Sequence, residues 1–142
     1  MTNRIAIKMM LGILLAVITF HLCIIAQVIP YEITWGGRLK SEQEMYVFEG
    51  ISIVINLFLA FVLLMKGGYI SAYFREGVVN VLLWGFFILF LLNTIGNIFA
   101  KTNFEKSFAV LTLILAILLR RVLRKTTGNH HRTKSSITLN DQ

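Results

Sequence analysis

Four stretches of this chain run almost without charge: residues 9–31, 45–65, 77–100 and 107–123. The first and third contain no Asp, Glu, Lys or Arg; the second contains only Glu49 and the fourth only Arg120 and Arg121. Together they occupy 85 of the 142 residues. A helix needs about 20 apolar residues to cross a hydrocarbon core of about 30 Å. A soluble domain of this size has too little interior to bury so much apolar chain. Composition agrees, at 56% hydrophobic and 15% charged, against roughly 45–50% and about 25% in soluble domains. The pattern predicts an all-α fold, a four-transmembrane-helix bundle.

Local signals set the ends of the spans. The first helix is expected to begin near Ile5 and to stop at Pro30, which lacks a backbone donor and restricts the residue before it. Ser41-Glu42-Gln43-Glu44 has the form of a capping box, so the second helix should start at Glu42 and run to Lys66, where Gly67-Gly68 stops it. The third occupies residues 77–100. Thr102-Asn103-Phe104-Glu105 is a second capping signature, and the fourth helix ends among Arg120, Arg121, Arg124 and Lys125, cations that complement a helix C-terminus. The membrane domain is thus residues 1–125, with spans at about 9–30, 44–66, 77–100 and 104–123. Residues 126–142 form a polar, basic tail without apolar periodicity, expected to be disordered. Arg4 and Lys8 before an apolar run resemble the start of a signal peptide. That run reaches Ile29, however, and a cut after Ala26 would leave bulky Ile24 where a small residue is preferred. The first span is read as uncleaved.

Charge gives the orientation. With four spans, one side carries Arg4, Lys8, Lys66, Arg75 and the six cations after Leu119, ten in all; the other carries Arg38, Lys40, Lys101 and Lys106. This bias places both termini in the cytoplasm, N-in and C-in. The charge-free part of the fourth span is short, but Arg120 and Arg121 can snorkel to the interface and extend it. The net charge of +7 is accounted for by topology and by anionic lipids at Arg120, Arg121, Arg124 and Lys125, not by nucleic acid. Cys23 is the single cysteine, which excludes an intrachain disulfide or a dithiol pair. No zinc, phosphate-loop or dinucleotide motif occurs, and His130-His131 alone is too few ligands for a selective site, so neither a cofactor nor a metal is expected.

The informative residues are the polar ones inside the spans, because a polar side chain in hydrocarbon costs a few kcal/mol unless paired and so turns inward. Without Glu49 the second span has only 16 residues before Lys66, so Glu49 belongs at or below the headgroup level. Glu49, Ser52 and Asn56 share one helix face, as do Asn93 and Asn97. At ~1.5 Å per residue, Gln27, Glu49 and Asn97 lie a few ångströms deep, and His21, Asn56 and Asn93 roughly 10–15 Å. Polar residues therefore gather in the outer half; Asn80 alone sits near the cytoplasmic boundary, and Thr94 beside Asn93 is read with the outer set. The loop between the first two spans carries Trp35, an interfacial aromatic, and Arg38, which can reach a lipid phosphate or a carboxylate. A polar site of His21, Glu49, Asn56, Asn93 and Asn97 beneath Trp35 and Arg38 is expected, with Glu49 and His21 the candidate acid and base.

With PYEITWGGRLKSEQEMYVFE and LLNTIGNIFAKTNFEK standing out, the chain resembles small uncharacterised four-span proteins of bacterial membranes. The resemblance covers both outer loops and the adjoining helix ends. It implies a multi-pass protein of the bacterial inner membrane and carries no activity with it. Sterol-isomerase-like proteins also have four spans, but their motif spacing is not matched here. Small multidrug exporters carry their intramembrane glutamate in the first helix, where this chain has His21. The leading expectation is a protein that binds a lipid, an amphipathic ligand or a partner protein without catalysis. A membrane-embedded enzyme or proton-coupled carrier using Glu49 and His21 is the first alternative, and a structural accessory subunit of a membrane complex the second.

Overall fold

The computed structural model describes residues 2–33, 39–100 and 103–137. It contains four α-helices, α1 (Asn3–Ile25), α2 (Glu42–Lys66), α3 (Glu76–Ile98) and α4 (Asn103–Ile137), with one short 3-10 turn, Tyr31–Ile33, and no strand among the described residues. Consecutive helices are antiparallel. They form a ring in which α3 packs most closely on α4 and α1 on α2, while α1–α4 and α2–α3 close the circle. We call the end holding the N-terminus and the α2–α3 turn the near end, and the opposite one the far end.

Backbone chemistry explains each boundary. Thr2 caps α1 by accepting from the Ile5 N–H at 3.4 Å. The helix does not continue to Pro30. Gln27 adopts a positive φ of 57°, which lets its N–H reach Ile24 O and the Val28 N–H reach Cys23 O, both at 2.9 Å. These two bonds are the left-handed helix stop usually built on glycine. Gln27 is thereby exposed beyond the helix end rather than lying within a span. In α2, Ser41 Oγ accepts from the Glu44 N–H (3.2 Å), and the Glu44 carboxylate accepts from the Lys40 N–H (2.8 Å), one residue before the serine. At the other end Gly68, at φ 69°, allows Tyr69 N–H to bond Leu64 O at 3.0 Å. The Thr102 cap expected for α4 lies outside the described residues. That helix continues to Ile137, through the segment whose composition carries no apolar periodicity.

The close-packed core fills the near half. Ala6, Ile7, Met10 and Leu14 of α1 meet Leu59, Val62 and Leu63 of α2, Val79 and Leu83 of α3, and Leu115, Leu119 and Val122 of α4. Lys66 joins α2 to α3 at this end, with Nζ 3.1 Å from the Glu76 carboxylate and 2.8 Å from Asn80 Oδ1. At the far end a smaller cluster of Ile24, Leu39 and Met45, flanked by Phe20 and Tyr31, covers the junction of α1 and α2.

Outward faces are apolar. Leu15, Val54, Val81 and Val110, one on each helix, are between 62% and 70% exposed, a distribution that suits a lipid surround and not water. The helices α1, α2 and α3, of 23, 25 and 23 residues, are long and apolar enough to cross a membrane. At ~1.5 Å per residue they reach roughly 35 Å. In α4 every 18-residue window of residues 103–124 holds at least three charged side chains, so it does not join them by composition. The protein is a helical membrane protein.

Candidate functional site

The far half of the bundle is hollow. A cavity of about 480 Å³ lies between all four helices, walled mainly by Val17, Leu59, Phe86, Phe90 and Leu115. Polar side chains break this wall at positions set by helical periodicity. His21 projects from α1; Glu49, Ser52 and Asn56 from one face of α2; Asn93 and Asn97 from one face of α3; Glu105 and Thr112, seven residues apart, from α4.

His21 Nδ1 hydrogen-bonds directly to the Glu49 carboxylate, joining α1 to α2. Glu49 is fully buried, and the His21 side chain is 15% exposed. Either a protonated ring nitrogen donates to the carboxylate or a protonated carboxyl donates to the ring, so the bond ties the two helices through groups of acid–base character. The His21 ring is held in place by an edge contact with Phe20, whose own ring packs on Phe104 and Phe108 of α4 at 5.9 and 5.2 Å. This aromatic wall closes the cavity between α1 and α4.

On α2, Asn56 Nδ2 donates to Ser52 O at 2.7 Å and Ser52 Oγ donates to Phe48 O at 2.9 Å, so both spend a hydrogen bond on their own helix. Among the described residues, the Asn93 and Asn97 amides have no hydrogen-bond partner. They are the groups with most hydrogen-bonding capacity to offer a bound molecule. Thr94 has a different role. Its hydroxyl donates to Phe90 O and sits 2.8 Å from the Thr112 hydroxyl, a cross-link between α3 and α4.

The cavity is not walled equally on all sides. Its surface-exposed lining residues are Phe48, Ile51 and Ile55 on α2 and Leu89 and Asn93 on α3, whereas every described lining residue of α1 and α4 is buried or half-buried. Helices α2 and α3 are also the neighbouring pair in least contact. The Phe58 and Phe86 rings, 6.1 Å apart, meet across this junction.

Five of the residues singled out from sequence, His21, Glu49, Asn56, Asn93 and Asn97, thus meet at one cavity. Trp35 and Arg38 lie outside the described residues. Sequence reasoning missed Glu105, which is buried in the cavity wall. Its place in a capping signature gave it another role, although its spacing to Phe108, Thr112 and Leu115 puts all four on one face. Among the described residues no three His, Cys, Asp or Glu side chains are arranged to hold a metal ion. No protein-family model matches the chain, and no curated protein or solved structure shows significant similarity to it.

Proposed function

We propose that this is a small four-span protein, both termini cytoplasmic, that holds an amphipathic ligand in the cavity of its outer half. One observation carries the reading. An apolar cavity of about 480 Å³, within the range of ligand sites, is faced by amides of Asn93 and Asn97 without partners among the described residues. An amide left unpaired in hydrocarbon costs a few kcal/mol, a cost removed when a ligand head supplies the missing bonds. The fourth crossing is supported by the outward apolar residues Val110, Leu113 and Ile117 of α4 and by cations at Arg120, Arg121 and Arg124 placed for anionic headgroups. The cation bias along the chain supports a cytoplasmic near end, and the resemblance to bacterial four-span proteins favours an inner membrane.

Native mass spectrometry of protein purified in a mild detergent tests this. A retained small amphiphile is expected, and Asn93→Leu with Asn97→Leu should reduce its retention at least fivefold. Equal retention by the double variant would count against the site.

The direct His21–Glu49 contact favours a second reading, a proton-coupled carrier or membrane-embedded enzyme in which the pair transfers a proton. In that case proteoliposomes loaded with a pH-sensitive dye should show flux that Glu49→Gln abolishes. Absence of flux with the unmodified chain would remove the carrier form.

A further inference from the structure

The cavity's surroundings bear on what can reach it. Ile24, Leu39 and Met45 form an apolar cluster at the far end of α1 and α2, and the aromatic contacts of Phe20 seal the α1–α4 side. What remains exposed are Phe48, Ile51 and Ile55 on one side of the α2–α3 gap and Leu89 and Asn93 on the other. Counting from the far ends of α2 and α3, these residues lie roughly 8–20 Å along the helices, from the outer part to about the middle of a ~30 Å hydrocarbon core. The mouth is therefore bordered by lipid chains. Among the described residues, this mouth faces the bilayer and would admit a molecule dissolved in it.

Resting on the reading that the cavity binds an amphipathic ligand, we propose that the ligand enters sideways from the outer leaflet between α2 and α3. The geometry points to a single-chain amphiphile with an uncharged, hydrogen-bonding head. Its chain would follow the apolar surface of Phe86, Phe90 and Leu59, and its head would meet the Asn93 and Asn97 amides at the mouth. Among the described residues no lysine or arginine lines the cavity, while Glu49 and Glu105 do. An anionic phosphate head would find no compensating charge there. A hydroxyl group can both donate to and accept from an amide, and an ester oxygen can accept from its N–H, which suits asparagine.

Photolabelling separates entry from binding. The full-length protein in phosphatidylcholine vesicles is exposed to a monoacylglycerol bearing a diazirine on its chain, and labelled residues are mapped by mass spectrometry. Label is expected on cavity residues such as Phe90 and Phe108, competed by unlabelled monoacylglycerol. Ile55→Trp with Leu89→Trp, which narrows the mouth, should slow labelling at least fivefold. Val54→Trp with Ile88→Trp, on outward faces away from the mouth, should leave the rate unchanged, and melting followed by circular dichroism checks that both variants fold. Cavity labelling at an unchanged rate in the narrowed variant overturns lateral entry and leaves binding standing. Label confined to outward residues such as Val81 overturns the binding reading itself. Equal or stronger labelling by a diazirine lysophosphatidylglycerol or alkylammonium overturns the assignment of an uncharged head.

Discussion

Replacing His21 by alanine is the sharpest single perturbation of this fold. Glu49 is fully buried and hydrogen-bonds His21 directly, so no solvent screening reduces the effect on the carboxylate. Removing one member of a buried pair typically costs about 3–5 kcal/mol, because the other is left as an uncompensated charge. Glu49 keeps a further interaction when His21 is lost, which brings the expected loss for His21→Ala to about 2–3 kcal/mol. Glu49→Gln keeps the shape and a hydrogen-bonding group, and should lose only about 1 kcal/mol, the net worth of one such bond. The double variant His21→Ala, Glu49→Gln combines the two and should lose less than the singles together, with a coupling of about 1–3 kcal/mol. Unfolding in mixed micelles by increasing the fraction of sodium dodecyl sulfate, followed by circular dichroism, gives all four free energies. A loss under about 0.5 kcal/mol for His21→Ala, or strict additivity in the cycle, would show that the pair contributes nothing to holding α1 against α2.

Three further substitutions probe separate parts of the structure by the same measurement. Leu83→Ala, at a fully buried core position, should cost about 1–3 kcal/mol, since with lipid as the surround the cavity term persists while the water-transfer term falls away. Thr112→Val removes the hydroxyl contact with Thr94 and should cost about 0.6 kcal/mol, the average for such bonds between membrane helices, with little further loss when Thr94→Val is added. Gln27→Gly relieves the positive φ at the end of α1 and should stabilise by up to about 1 kcal/mol, the penalty a side chain carries there; a destabilised variant would show that the Gln27 side chain contributes more than its backbone strain.

Features carried by a few neighbouring residues were legible in the sequence. Ser41 and Gly67-Gly68 lie immediately outside the ends of α2 because capping and left-handed stops depend on atoms within four or five residues. The convergence of Glu49 with Asn56, and of Asn93 with Asn97, follows from helical spacing and the cost of exposing amides and acids to hydrocarbon. The end of α1 was misread because a glutamine in the left-handed region has no distinctive pattern, whereas Pro30 advertises a stop. Glu105 was hidden by a plausible local role. The side on which the cavity opens depends on how far α2 and α3 stand apart, a property of packing between segments that no single helix encodes.

The Lys66 contacts with Glu76 and Asn80 have a mechanical consequence. They pin α2 to α3 at the near end, where the chain itself also connects the two helices. Any tilt of α3 away from α2 would take this junction as its fulcrum, with Asn93 out along the arm. From Asn80 to Asn93 is 13 residues along α3, an arm of about 20 Å. A tilt of about 5° at the fulcrum moves Asn93 by about 2 Å over that arm, comparable to the radius of a hydrocarbon chain. Lys66, Glu76 and Asn80 lie outside the cavity lining, yet they fix the end about which such a tilt would turn.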